Sequence, residues 1–132
     1  MAAAVKLSRA EVEAALAVHG LYTFRTLDSE YWAVSEEYWN LVVENTAPYR
    51  PWFWDDHDCD DLAMEFVVDV RRNYHIPAGI VVNRIHAFNV IILPDLGLRF
   101  IDAGWSTGPV FVTPDTSDPD TFHSILGARV WV

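Results

Sequence analysis

Apolar positions recur with a helical period through the first half of the chain and gather in continuous apolar stretches between turn residues through much of the second. An alanine-rich run is preceded by Ser8 and Glu11, a capping-box pair, and is followed by Gly20, so the pattern predicts a helix over 9–19. A second helical region is expected over 29–45, with Tyr31, Trp32, Tyr38, Trp39 and Val42 as its buried candidates. "EYW" occurs at 30–32 and again at 37–39, which reads as two aromatic pairs on one helical face. Pro48 and Pro51 hold "TAPYRPWFW" (46–54) as an irregular aromatic loop. From Asp58, a natural N-cap, Leu62, Phe66 and Val70 recur every four residues with Ala63 and Val67 beside them, which predicts a helix to about Asn73.

"HIPAG" breaks this pattern, and β-rich stretches follow at 79–83, 85–93 and 98–103. "PDLG" (94–97) predicts a turn with Gly97 at positive φ, so 85–103 reads as a hairpin. Further strands are expected at 108–113 and 128–132, with "TSDPDT" as a loop. Helices first and an antiparallel sheet afterwards predict an α+β fold, with 1–132 as a single domain.

Composition narrows the function. Over half of the 132 residues are hydrophobic, which excludes a disordered chain, and no apolar run is long enough to span a bilayer. With no secretory signal pattern at the start, an intracellular protein is expected. The formal net charge of −10 argues against a nucleic-acid partner. The acids are concentrated: Asp55, Asp56, Asp58, Asp60, Asp61 and Glu65 fall in one short run around Cys59. As the chain's one cysteine, Cys59 excludes an internal disulfide and a cysteine-based zinc site.

That setting is chemically odd, because neighbouring negative charge opposes formation of a thiolate. The expected helix places Cys59 at its first position, where the dipole and free N–H groups favour thiolate. A thiol enzyme also needs a base and a group to orient it. His86 opens a strand after a loop and is the base expected here; His19, His57, His75 and His123 occupy less suitable places. Asp102 ends the return strand and is the expected orienting group. Alternation sets His86, Phe88 and Val90 on one face and Leu98, Phe100 and Asp102 on one face of the partner. Whether the two faces coincide depends on turn register, and Asn89 is the rival orienting residue.

A helix-borne cysteine, then "HAFN" opening a strand, then "FIDAGWSTG" resembles the papain-like cysteine peptidases. "DCDDLAMEF" is similar to the Cys-Asp-Asp segment of the calcium-dependent papain-like peptidase domain of mushroom agglutinins of the Marasmius oreades type. The resemblance covers roughly residues 54–108. It implies a papain-like fold, a Cys59–His86–Asp102 triad and a peptide or protein substrate. It also implies Ca²⁺ or Mn²⁺ held first by Asp60 and Asp61, then by Asp58, Glu65, Asp56 and Asp55. Cations there would offset the acids and favour the thiolate. The chain departs from the pattern in containing no glutamine to serve the oxyanion, so the Cys59 N–H would need another donor, such as the Trp54 indole.

Three readings follow. The first is a metal-dependent thiol peptidase or acyl-transfer hydrolase. The second is a catalytically silent papain-like fold serving as a structural or interaction protein, for example in a phage virion or in host takeover. The third is a carboxylate-metal hydrolase. The expected location is cytoplasmic or virion-associated.

Overall fold

The computed structural model describes residues 4–25, 30–49, 59–104 and 108–132, with the side chains of Phe24, Cys59 and Asp60 outside that description. A strand, β1 (Val5–Ser8), leads directly into α1 (Arg9–Val18). The capping box is formed: the Ser8 hydroxyl accepts from Glu11 N–H at 3.1 Å, and the Glu11 carboxylate accepts from Ser8 N–H at 3.1 Å. Gly20, at φ 78°, turns the chain out of the helix.

After β2 (Tyr22–Arg25) the structure departs from the expected helix over 29–45. The first "EYW" lies in a strand, β3 (Glu30–Ala33), and helix α2 occupies only Glu36–Glu44. β3 pairs antiparallel with β1, with Lys6 opposite Trp32 and Leu7 opposite Tyr31. Period-two burial replaces the helical face: Tyr31 and Ala33 are buried, whereas Trp32 is about half exposed. Ser35 then caps α2, its hydroxyl accepting from Tyr38 N–H at 3.2 Å.

Helix α3 (Cys59–Tyr74) begins at the cysteine, and five strands follow: β4 (Gly79–Val82), β5 (Ala87–Ile92), β6 (Leu98–Asp102), β7 (Val110–Val112) and β8 (Arg129–Trp131). They join β2 in a six-stranded sheet of order β2-β8-β4-β5-β6-β7. The fold is thus α+β, with three helices among the described residues, this sheet and the small β1–β3 sheet. The expected all-antiparallel sheet and helices-first order are corrected in two respects. Strands interleave with the helices, and β2 pairs parallel with β8. That pair joins segments about a hundred residues apart, beyond the reach of any local pattern.

The expected hairpin forms from β5 and β6, with Val90 opposite Phe100 and Asn89 opposite Ile101. Its turn differs in detail: Leu96, not Gly97, takes positive φ, at 70°. The Asp95 carboxylate accepts from Gly97 N–H at 2.9 Å, and Leu96 packs against the core, which offsets the backbone strain.

Alternating residues of β5 and β6 feed two separate cores. Phe88, Val90, Ile92, Leu98 and Phe100 pack with Val12 and Leu16 of α1 and with Tyr31. Ile91 and Ile101, with Leu93 and Ala103 beyond the strand ends, pack with Trp39 and Val42 of α2 and with Phe66, Val67 and Val70 of α3. No helix among the described residues is long and apolar enough to cross a membrane.

Asn89 falls on the α3 side of β5. Its amide donates to Ala63 O at 2.9 Å and to Gly79 O at 3.0 Å, tying α3 to the sheet. At the end of the same hairpin, Leu62 stands against Gly104: a Cβ there would lie 3.6 Å from Leu62 Cδ1 and 3.2 Å from Asp102 Oδ1. The first turn of α3 therefore reaches the end of the sheet that carries His86 and Asp102.

Candidate active site

A short turn sets His86 in place. Asn83 N–H donates to His86 O at 3.1 Å, closing residues 83–86 between β4 and β5. The Asn83 side-chain oxygen accepts from Ile85 N–H at 2.9 Å and His86 N–H at 2.8 Å. The pairing left open by the sequence is resolved here, since extending the β5–β6 register by one residue puts Asp102 opposite Phe88. His86 and Asp102 then share a face as diagonal neighbours. His86 Nε2 lies 2.8 Å from Asp102 Oδ2, and both side chains are buried. Asn89, the rival, lies on the other face and braces α3 instead.

A second imidazole joins them. His123 Nε2 lies 2.7 Å from the same Oδ2, and Gly104 N–H donates to Oδ1 at 2.9 Å. A carboxylate can only accept, so both histidines present Nε2–H to it and leave their Nδ1 atoms as bases. Burial pushes the Asp102 carboxyl up, but the hydrogen bonds from His86, His123 and Gly104 outweigh it and bring it down to about 2. Asp102 is therefore an anion at neutral pH. The His86 ring stacks on Phe122, at 3.8 Å between centroids, and lies nearly parallel to Phe88, at 5.9 Å. Phe88 also meets Phe100 and the edge of His123, so the polar cluster sits in an aromatic wall.

The loop after β7 supplies Phe122 and His123. It is knotted by Asp115, whose Oδ1 accepts from Ser117 N–H at 2.8 Å, Ser117 Oγ at 2.9 Å and Asp118 N–H at 3.2 Å. Its Oδ2 accepts from Thr121 Oγ1 at 2.8 Å. Asp115 N–H donates to His123 O at 3.0 Å, and Ile125 N–H to Asp115 O at 2.9 Å. These bonds, first among them the one from Ser117 N–H, bring the Asp115 carboxyl down to about 2. A carboxyl held below its unfolded value supports the fold above the ordinary range near 4, and that support is lost as pH falls through about 2. The Ser117 and Asp118 amide resonances are accordingly expected to titrate with a midpoint near 2. A midpoint near 4 would show that the knot does not form.

Of the triad expected from sequence, His86 and Asp102 come together. Cys59 is the first residue of α3, in helical phase with Ala63, Phe66 and Val70. Its side chain lies outside the described residues, as do Asp55, Asp56, Asp58, the Asp60 side chain, Trp54 and Trp105. The dyad and α3 meet the sheet from opposite faces, at the same end of it. Asp61 and Glu65 are described and half-buried, but neither joins a metal-binding group among the described residues. The group that could hold an ion there is His86, Asp102 and His123, whose ligand atoms lie within 4.8 Å of one another. His123 is the residue that sequence reasoning missed. Its one local signal is the aromatic–histidine pair Phe122–His123 after a turn-rich segment.

No protein-family model, curated protein or solved structure matches the chain.

Proposed function

We propose that the protein is a thiol-dependent acyl-transfer hydrolase of the papain-like kind, acting on a peptide or protein carbonyl. Cys59 attacks the carbonyl carbon, His86 takes and returns the proton, and Asp102 holds the imidazole in the Nε2–H tautomer. The observation that carries the reading is the buried His86–Asp102 pair, with the 2.8 Å contact at Nε2 leaving Nδ1 as the nitrogen that can accept a thiol proton. Helix α3 covers the sheet face opposite the dyad, but its first turn reaches the same end of the sheet, at Gly104 beside the Asp102 carboxylate. Substrate would then meet the thiol at the end of the sheet, across the strand end at Gly104.

Ca²⁺ or Mn²⁺ belongs to the same proposal. Asp61 and Glu65, with Asp60 and the acids before the helix, would hold the ion, which would supply the positive charge that those acids deny the thiol.

Alkylation of Cys59 by iodoacetamide tests both parts. The native protein is expected to react faster than a free cysteine at neutral pH, and faster again with Ca²⁺, while Cys59→Ala abolishes peptide hydrolysis. Labelling that begins only on denaturation would eliminate the reading. Hydrolysis that survives Cys59→Ala would move the chemistry elsewhere.

A further inference from the structure

A thiol hydrolase needs one imidazole on its orienting carboxylate, and this site has two. His123 is unused by the mechanism above, yet a dedicated loop carries it to 2.7 Å from Asp102 Oδ2. We infer that His86, Asp102 and His123 form a binding site for a transition-metal dication of the Zn²⁺ class.

Ligand type and spacing both support this. Two imidazoles and one carboxylate suit Zn²⁺, Co²⁺ or Ni²⁺ and select against Ca²⁺ and Mg²⁺, which take oxygen donors. Zinc–nitrogen and zinc–oxygen bonds of about 2.0–2.1 Å place neighbouring ligand atoms roughly 3.0–3.4 Å apart. The carboxylate oxygen stands 2.7 and 2.8 Å from the two Nε2 atoms, and the ligand atoms of the three residues all lie within 4.8 Å of one another, so the donors are already gathered for one ion. The ion takes the place of the two Nε2 protons. Three protein ligands leave a fourth position for water or substrate, as in open zinc sites.

The surrounding shell holds the ligands as a metal site requires. Gly104 N–H fixes Oδ1 of Asp102. Asn83 braces both histidines at once. Its oxygen holds the His86 turn, and its amide donates to Phe122 O and Ser124 O, each at 3.0 Å, on either side of His123. Phe88 and Phe100 are buried beside the group, and Phe122, itself half exposed, stacks on the His86 ring.

Loading has a consequence that rests on the thiol-hydrolase reading. With Nε2 on the metal, the neutral His86 ring carries its proton on Nδ1 and can no longer accept one from Cys59. The ion therefore switches the hydrolase off.

Calorimetric titration of the full chain with Zn²⁺, made in the Cys59→Ser background, tests the site without recourse to activity. We expect one ion per chain and at least a tenfold loss of affinity in His123→Ala, with affinity unchanged in Asp61→Asn. His123→Gln keeps a donor toward Asp102 and removes the strong ligand, so it should show the same loss if the alanine variant folds poorly. Absence of binding, or equal affinity in a folded His123 variant, would overturn the site. Binding confirmed here together with full hydrolysis by zinc-loaded wild type would overturn only the off-switch.

Discussion

Asp102→Asn is expected to lower turnover by about 10³-fold or more while leaving the protein folded. An asparagine matches the shape of the aspartate but offers one oxygen and one NH₂ group. With its oxygen kept on Gly104 N–H, the NH₂ group faces the two Nε2 atoms that the carboxylate now binds at 2.8 and 2.7 Å. Both rings can satisfy it by moving their protons to Nδ1, and hydrogen bonding is preserved at a net cost of about 1–3 kcal/mol. The proposed hydrolysis would not be preserved, because His86 then presents N–H where that reaction requires it to accept a proton. Nitrogen-detected NMR of the imidazoles separates the two effects. The native protein should show Nε2–H on both rings and the variant Nδ1–H. Retention of Nε2–H in a folded Asp102→Asn protein would remove the tautomer argument.

Phe66→Ala should be the most damaging single truncation of the α3 face, destabilising the protein by about 3–5 kcal/mol. Phe66 is fully buried, its ring 6.3 Å from that of Trp39 in a tilted contact, and it shares a core with Val42, Val70, Ile91 and Ile101. That core joins α2 and α3 to the sheet, so the loss is both transfer energy and a cavity that the flanking helices can close only in part. Urea unfolding should show a lower midpoint with an unchanged slope. Met64 and Val68 are exposed on the other side of the same helix, and truncating either should change stability by no more than about 0.5 kcal/mol. Equal effects at Phe66 and Met64 would mean that α3 is not packed as described.

Much of the hairpin and of α3 was legible before the structure. The four-residue recurrence of Leu62, Phe66 and Val70 marks a helix with one buried face, and continuous apolar stretches on either side of a turn mark β5 and β6. The pairing of His86 with Asp102 could be suggested but not decided, because one residue of slip would have turned one of them to the α3 side. The first "EYW" was misread for a related reason. Two aromatic pairs seven residues apart fit a helical face, and only pairing with β1 makes Glu30–Ala33 a strand. Gly97 was assigned the positive φ that its neighbour Leu96 takes, with packing of the partly buried Leu96 side chain on the core offsetting the strain.

His123 was passed over because nothing periodic announces it. Its place depends on Asp115 knotting a loop, on Asn83 gripping that loop from the β4–β5 turn, and on β6 carrying Asp102 to meet it. The Asp115 knot is local, but the contacts of Asn83 and Asp102 join residues 21 to 41 positions apart. The order of apolar residues along the chain, acting through local hydrogen-bond geometry, determined the capped helix, the cysteine-headed helix and the hairpin. Which strands adjoin, which faces the helices cover and which imidazoles share a carboxylate were decided by tertiary structure alone. Those arrangements follow from burying distant surfaces together, and the energy of that burial belongs to no single stretch of sequence.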